Sequence, residues 1–311
     1  MLVQIREPVN KFPHFVRYTV QRLKALCPGL GKVKIAQILC RAGLHLGATT
    51  VGRILKEAPP PKPREASRKA GRVVTAKDPN HVWHIDLTAV PIRGGFWTPR
   101  LPFALPQCWP FCWWLAIVVD HFSRRAIGFA VFPKRPSSLA VRTFVGKTAA
   151  RIHATPKYLI CDKDSIFWCM AFKGWCKRKA IRPRYGAIGK HGSIAVVERL
   201  IRTIKDEATR RIVVPQRQAA FRRELTSYLA WYNEHRPHAT LHGKTPNEVY
   251  FRLRPANQRP RIEPRERWPR PSPCARPGTL IAGQPGDRFE IEVGFHDGRR
   301  HLPIVSVRRA A

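Results

Sequence analysis

Acidic side chains are the scarce class in this 311-residue chain. Only 20 Asp and Glu stand against 57 Lys and Arg, a formal net charge of +37. Self-repulsion of that size weakens a compact state, so the excess calls for a polyanionic partner, above all nucleic acid. Long apolar runs are missing as well. The longest, Phe111 to Val119, has nine residues, far short of the ~20 that cross a bilayer. The N-terminus, MLVQIREPVNKF, has no apolar signal core, so neither secretion nor a membrane partner is expected. The eight Cys (27, 40, 108, 112, 161, 169, 176 and 274) form no CxxC pair. That pattern predicts a reducing, cytoplasmic setting with no disulfide framework and no structural zinc. No internal repeat is found either. What remains is a chain with 44% hydrophobic residues and nine Trp, long enough for two or three folded domains and not a disordered basic tail.

Two Pro-rich basic stretches divide the chain into pieces. One covers 58–80 and opens on APPPKPR; the other covers 252–277 and holds eight Arg and seven Pro against two Glu. Both read as extended linkers. The first piece, 1–57, reads as three helices. Apolar residues recur at helical spacing through Phe15, Val16, Val20, Leu23 and Leu26, through Ile35, Ile38 and Leu39, and through Val51, Ile54 and Leu55. Gly-containing turns separate them, as in a helix-turn-helix. Thr49, Thr50, Arg53 and Lys56 face outward on the third helix, where they can meet bases or phosphates. An ordinary three-helix module with a solvated basic face has the same spacing.

The second piece, 81–251, alternates strands and helices. His81 to Ala89 alternates strictly, with Val82, His84, Asp86 and Thr88 on one face. Phe111 to Val119 fits a central strand, and Ala126 to Phe132 a third. A helix capped by Ser137 or Ser138 follows, then a strand at Tyr158 to Cys161 and a helix from Ser165 to Arg178. A strand at Ile181 to Tyr185 and long helices at 193–211 and 217–233 complete the piece. This order predicts a mixed sheet with helices on its faces. The inserted Arg93–Pro110 loop, with Trp97 and Trp109, can pack on that core or stack on DNA bases; packing is the favoured expectation. The last piece, 278–311, alternates from Arg288 to Phe295. It turns at Asp297-Gly298, a hairpin signal, and returns through Leu302 to Val307. Thirty-odd residues make a marginal domain, so this piece is expected to lean on the core.

In so basic a chain each carboxylate counts. Asp86 lies mid-strand on a polar face, Asp162 just past the strand Tyr158 to Cys161, and Glu198 in the first turns of a long helix, with 35 residues between the last two. Carboxylates from two strands and a helix can converge at one edge of a sheet. Converged carboxylates resist ionising together and call for cations. Hard oxygen donors with open positions suit Mg²⁺ or Mn²⁺. Two such ions, ~3.5–4 Å apart, activate an attacking hydroxyl and stabilise the leaving oxygen of a phosphodiester. Taken singly, Asp86 also reads as a solvated strand-end acid, Asp162 as a turn residue and Glu198 as a surface ion pair. Asp164 competes with Asp162, and Asp120 also ends an apolar strand; residue chemistry leaves both open.

Five segments together resemble the DDE transposase and retroviral integrase superfamily. VWHIDLT (82–88), LICDKDSIF (159–167) and GSIAVVERLIRTIKDE (192–207) look like its three acidic motifs. VVDHFSRRAIGFAVF (118–132) is similar to its second and third strands. YNEHRPHATLHGKTPNEVY (232–250) is similar to the segment that closes the core in bacterial insertion-sequence transposases. The resemblance implies an α/β fold with an RNase H-like mixed sheet and flanking helices, preceded by an all-α helix-turn-helix domain and followed by a small β-rich tail. It implies that Asp86, Asp162 and Glu198 are the catalytic, metal-binding triad, holding two Mg²⁺ (or Mn²⁺) ions. It favours Asp162 over Asp164, which departs from the Gly often found there; Gly would allow a positive φ, and Asp tolerates that better than most residues. It assigns Arg202 and Lys205 to transposon-end DNA.

The implied function is metal-dependent DNA cleavage and strand transfer at transposon ends. Its partners are double-stranded DNA, both terminal repeats and target, and further copies of the chain in a multimer on that DNA. The bacterial branch is favoured, since no His-His-Cys-Cys module precedes the core. A nuclease of the same fold, a catalytically inactive DNA-binding remnant and a basic structural protein of a ribonucleoprotein are the rival readings.

Overall fold

A computed structural model describes residues 12, 14–56, 75–92, 107–186, 194–256, 261–262, 280–281 and 288–310. The chain forms two compact units. One comprises Met1–Arg64, Pro237–Lys244 and Arg254–Ala311; the other comprises Glu65–Arg236 and Thr245–Leu253. Most of the two Pro-rich stretches, namely 58–74, 257–260 and 263–277, lies outside the described residues, as does 93–106 of the inserted loop.

The first unit opens with α1 (His14–Leu26), α2 (Lys32–Arg41) and α3 (Ala48–Lys56). Their apolar stripes meet in one core that includes Val16, Val20, Leu23, Ile35, Leu39, Val51 and Ile54. The turn after α2 shows why glycine stands there. Gly43 takes φ 97, a left-handed conformation that a side chain disfavours. It lets the Leu44 N–H donate to the Leu39 carbonyl at 2.9 Å, a helix-closing bond that turns Leu44 into the core. On α3, Thr49, Arg53 and Lys56 are exposed at i, i+4 and i+7, on one stripe, while Thr50 is half-buried.

The second unit is built on a five-stranded sheet. Its strands are β1 (Val82–Pro91), β2 (Cys112–Asp120), β3 (Ala126–Phe132), β4 (Tyr158–Cys161) and β5 (Arg182–Tyr185), in the order β3-β2-β1-β4-β5. The three long strands are antiparallel, and β4 and β5 run parallel to β1. One face carries Trp83, Ile85, Ala116, Val118 and Leu159 against α4 (Ser138–Ile152), α5 (Ser165–Trp168) and α6 (Met170–Arg178). Each fully buried side chain of this size stabilises the unit by about 1.5–3 kcal/mol. Helix α7 (Ala195–Ile204) packs on β1 and β2, and α8 (Gln218–Glu234) on β3. The short α9 (Pro246–Tyr250) starts with a capping box between Thr245 and Glu248. Strand β3 is an edge, and side chains satisfy its backbone. The Asn233 amide accepts from the Ala126 N–H at 2.9 Å and donates to its carbonyl at 3.0 Å, and Gln218 donates to the Val131 carbonyl at 2.6 Å.

The helix expected over 165–178 is two helices. Cys169 is extended, with φ −68 and ψ 154. In one continuous helix Phe167 and Phe172 would point about 140° apart. With the break, both are fully buried, their rings edge to face at 5.4 Å. The helix expected over 193–211 begins, among the described residues, at Ala195, and it widens into a π-turn over Lys205–Thr209, where the Arg210 N–H donates to the Lys205 carbonyl. Trp109 is 50% exposed, and the rest of its loop, 93–106 with Trp97, lies outside the described residues.

The chain ends on a short parallel pair, β6 (Arg261–Ile262) with β7 (Leu280–Ile281), and on an antiparallel hairpin, β8 (Arg288–Phe295) with β9 (Pro303–Ala310). The hairpin turns at Asp297 and Gly298, both at positive φ, as the sequence signal predicts. Its support differs from expectation. Ile291, Val305 and Val307 pack against the α1–α3 core, and the Cys27 thiol donates to the His301 carbonyl at 3.4 Å. A two-stranded ribbon gains its stability from such a surface.

Candidate functional site

Register brings the first two acids together. In the parallel pairing of β1 with β4, His84 stands beside Ile160. Continued for two residues beyond that last pair, the register would set Asp86 level with Asp162, one residue past the end of β4. Residues level on neighbouring parallel strands share a face. Helix α7 covers β1 and carries Glu198 on its exposed side. The Asp86 carboxyl feels the charges of Asp162, Glu198 and Lys205. Its pKa rises from 3.8 to about 7, through burial first and then through Asp162 and Glu198, with the Leu87 N–H, which donates to Oδ1 at 2.7 Å, and Lys205 opposing the rise. Burial also raises Asp162, opposed by the Asp164 N–H, which donates to its Oδ1 at 3.2 Å.

The donor set is three carboxylates, two of them resisting ionisation, which is the chemistry a divalent cation relieves. Among the described residues, no three His, Cys, Asp or Glu are drawn close enough to grip an ion.

The two competing acids have other employment. Asp164 caps α5, accepting from the Ile166 N–H at 3.0 Å, and pairs with Arg135. Its φ is −59, so the departure from glycine costs no left-handed strain. Asp120 is fully buried at the far end of the pairing, opposite Trp83. It accepts from the Ser123 N–H at 2.8 Å, the Ser123 hydroxyl at 2.6 Å and the Asn80 N–H at 2.8 Å. It organises the turn that starts β3.

Arg202 is exposed on α7, while Lys205 is half-buried where α7 passes into the π-turn. Burial, then Arg210, lowers the Lys205 ammonium, and Asp86 and Asp206 oppose this. Sequence reasoning missed what fixes this end of the helix. Glu207 in the π-turn receives both Arg236 Nε at 2.6 Å and Arg236 Nη2 at 2.7 Å, and the Tyr228 hydroxyl at 3.3 Å. The signal was Arg236 inside YNEHRPH, a charge next to an aromatic run. Beneath Asp86, His84 is buried and held neutral at about 3, by burial first and then by His121 and Arg124. Its Nε2 shares a hydrogen bond with His121 Nδ1 at 2.8 Å.

Residues 76–191 match a family model described as integrase core domain, and residues 179–246 match a second model of the same description. No curated protein matches. Three solved structures are similar in fold. The catalytic core domain of HTLV-2 integrase in complex with magnesium (trimeric form) gives a TM-score of 0.42 at 17% identity, covering 57% of this chain and 99% of that one. The catalytic core domain of BIV integrase gives 0.39 at 22%, covering 56% and 95%. A simian T-cell lymphotropic virus intasome in complex with PP2A regulatory subunit B56 gamma gives 0.45 at 16%, covering 94% and 88%. The two matches overlap at 179–191 and together span residues 76–246, so this part of the chain is an integrase core domain of the DDE type.

Proposed function

We propose that the protein is a transposase of the bacterial insertion-sequence kind, which cuts DNA at transposon ends and joins the freed 3′ ends to target DNA. The observation that carries this reading is the buried Asp86 carboxyl, which feels the charges of both Asp162 and Glu198. In the cutting step water attacks a phosphodiester and releases a 3′-hydroxyl. In the joining step that hydroxyl attacks a target phosphorus; one P–O bond forms, another breaks, and a target 3′-hydroxyl leaves. The number of phosphodiester bonds is conserved in joining, so no external energy source is needed.

Asp86, Asp162 and Glu198 would hold two divalent ions. When bound, magnesium or manganese supplies Lewis-acid activation of the attacking hydroxyl and charge neutralisation at the leaving oxygen. The rest falls to the chain. Lys205, beside Asp86, and Arg202, exposed on α7, offer cations to the phosphates flanking the scissile bond. Thr49, Thr50, Arg53 and Lys56 on α3 read the terminal repeat as a helix-turn-helix does. The net charge of +37 holds backbone phosphates without regard to sequence. Bringing two transposon ends together requires more than one copy of the chain.

The test is a joining assay on labelled terminal-repeat DNA with Mg²⁺. The wild type is expected to give joined products, and Asp86→Ala, Asp162→Ala and Glu198→Ala none. Hydrolysis without joining would identify a nuclease. Full activity in any of the three variants would remove the mechanism.

A further inference from the structure

A cluster of aromatic and cationic side chains stands beside Asp162 and is used by nothing described so far. Trp168, the last residue of α5, is 47% exposed, and Met170 two residues on is 81% exposed. The indole is held in place. Tyr185 meets it edge to face at 4.6 Å and 71°, and the Tyr185 hydroxyl donates to the Phe167 carbonyl at 3.0 Å. The Lys173 ammonium lies 3.6 Å from the indole centroid, and Lys163 lies 5.8 Å from it. Lys173 also lies 5.8 Å from the Tyr185 ring.

Position ties this cluster to the acids. Lys163 is the residue after Asp162. Tyr185 pairs in register with Cys161, the residue before it. Helix α5 starts three residues past Asp162, on the Asp164 cap. A large apolar surface left in water needs a reason, and two lysines beside it disfavour a purely apolar partner. Lys173 sits over one side of the indole, and the ring is still half exposed; such a surface suits a nucleotide, whose base stacks on the exposed side while its phosphate meets the ammonium groups. Asp164, one of the nearby acids, is paired with Arg135, which offsets part of its charge.

We propose that Trp168, Tyr185, Lys163 and Lys173 form a subsite for one unpaired nucleotide of the DNA strand that runs past Asp162, its base on Trp168 and its phosphate on the two lysines. The inference rests on the DNA reading above, and it adds a preference for DNA with a single-stranded segment at the reacting end.

The test is equilibrium binding of the full chain, in EDTA, to a blunt duplex and to the same duplex with a short single-stranded overhang. The wild type is expected to prefer the overhang. Trp168→Ala should weaken overhang binding about tenfold and leave blunt binding unchanged. Trp168→Phe should keep most of the preference, and Lys173→Gln should lose part of it along with some salt dependence. An iodouracil in the overhang should photocrosslink to Trp168 of the wild type, a readout that stands even where Trp168→Ala fails to fold. Overhang binding unchanged in Trp168→Ala and Lys173→Gln, or a crosslink mapped elsewhere, would overturn the proposal. Binding in EDTA needs no catalysis, so its failure leaves the joining assay intact. Conversely, overhang preference in a protein that never joins ends would leave the subsite standing and remove the transposase reading.

Discussion

Replacing Asp86 with Asn separates the chemistry of the site from its architecture. The amide keeps the shape of the side chain and the oxygen that accepts from the Leu87 N–H at 2.7 Å, but it cannot ionise. In the wild type the carboxyl moves from its ordinary 3.8 to about 7, through burial first and then Asp162 and Glu198. At about 1.36 kcal/mol per pH unit, ionising it in the folded protein costs about 4 kcal/mol. The folded state keeps a proton that the unfolded state has released between 3.8 and about 7. The contribution to stability is therefore whole below 3.8, declines as pH rises across that window, and is lost above 7. Asp86→Asn has no such titration. In EDTA its stability should match the wild type near about pH 4 and exceed it by up to about 4 kcal/mol near about pH 8. Urea unfolding followed by circular dichroism at a series of pH values measures this. Adding Mg²⁺ near pH 8 should then stabilise the wild type and not the variant, by mass action on the folded state. A stability gap that does not change with pH, or a variant weaker than the wild type at high pH, would refute the reasoning.

Arg236→Ala strands Glu207 in a half-buried site and should destabilise by about 3–5 kcal/mol; denaturant unfolding of Arg236→Met with Glu207→Leu should recover most of it. Gly128→Ala places a Cβ 2.6 Å from Thr148 Oγ1 and 2.7 Å from its Cγ2. That overpacking should cost about 1–3 kcal/mol, relieved in a thermal melt by adding Thr148→Ala. Asp164→Ala removes a helix cap worth about 1 kcal/mol and should lower the melting temperature while end joining persists; loss of joining with the fold intact would show that Asp162 was the wrong choice.

The fold was legible wherever periodicity and length agreed. Cys112–Asp120 is a continuous apolar run, and such a run is buried on both faces. Gln218–Glu234 carries its apolar stripe through four turns. The acids were legible because they stand in a basic chain, yet chemistry alone could not choose between Asp162 and Asp164, which differ only in what they bond. Register and capping separate them, and both are tertiary facts. The break at Cys169 and the π-turn at Lys205–Thr209 carry no propensity signal. The first lets Phe167 and Phe172, five residues apart, both reach the core, and the second sets Glu207 against Arg236 from another helix end. The support of the hairpin by α1–α3 was hidden as well, since the two segments are separated by more than 200 residues.

The most direct test is a crystal of the full chain soaked in Mn²⁺, with anomalous scattering collected to locate the ions. Peaks coordinated by the carboxylates of Asp86, Asp162 and Glu198 are the predicted result. Manganese bound elsewhere, with those three side chains turned away from one another, would contradict it.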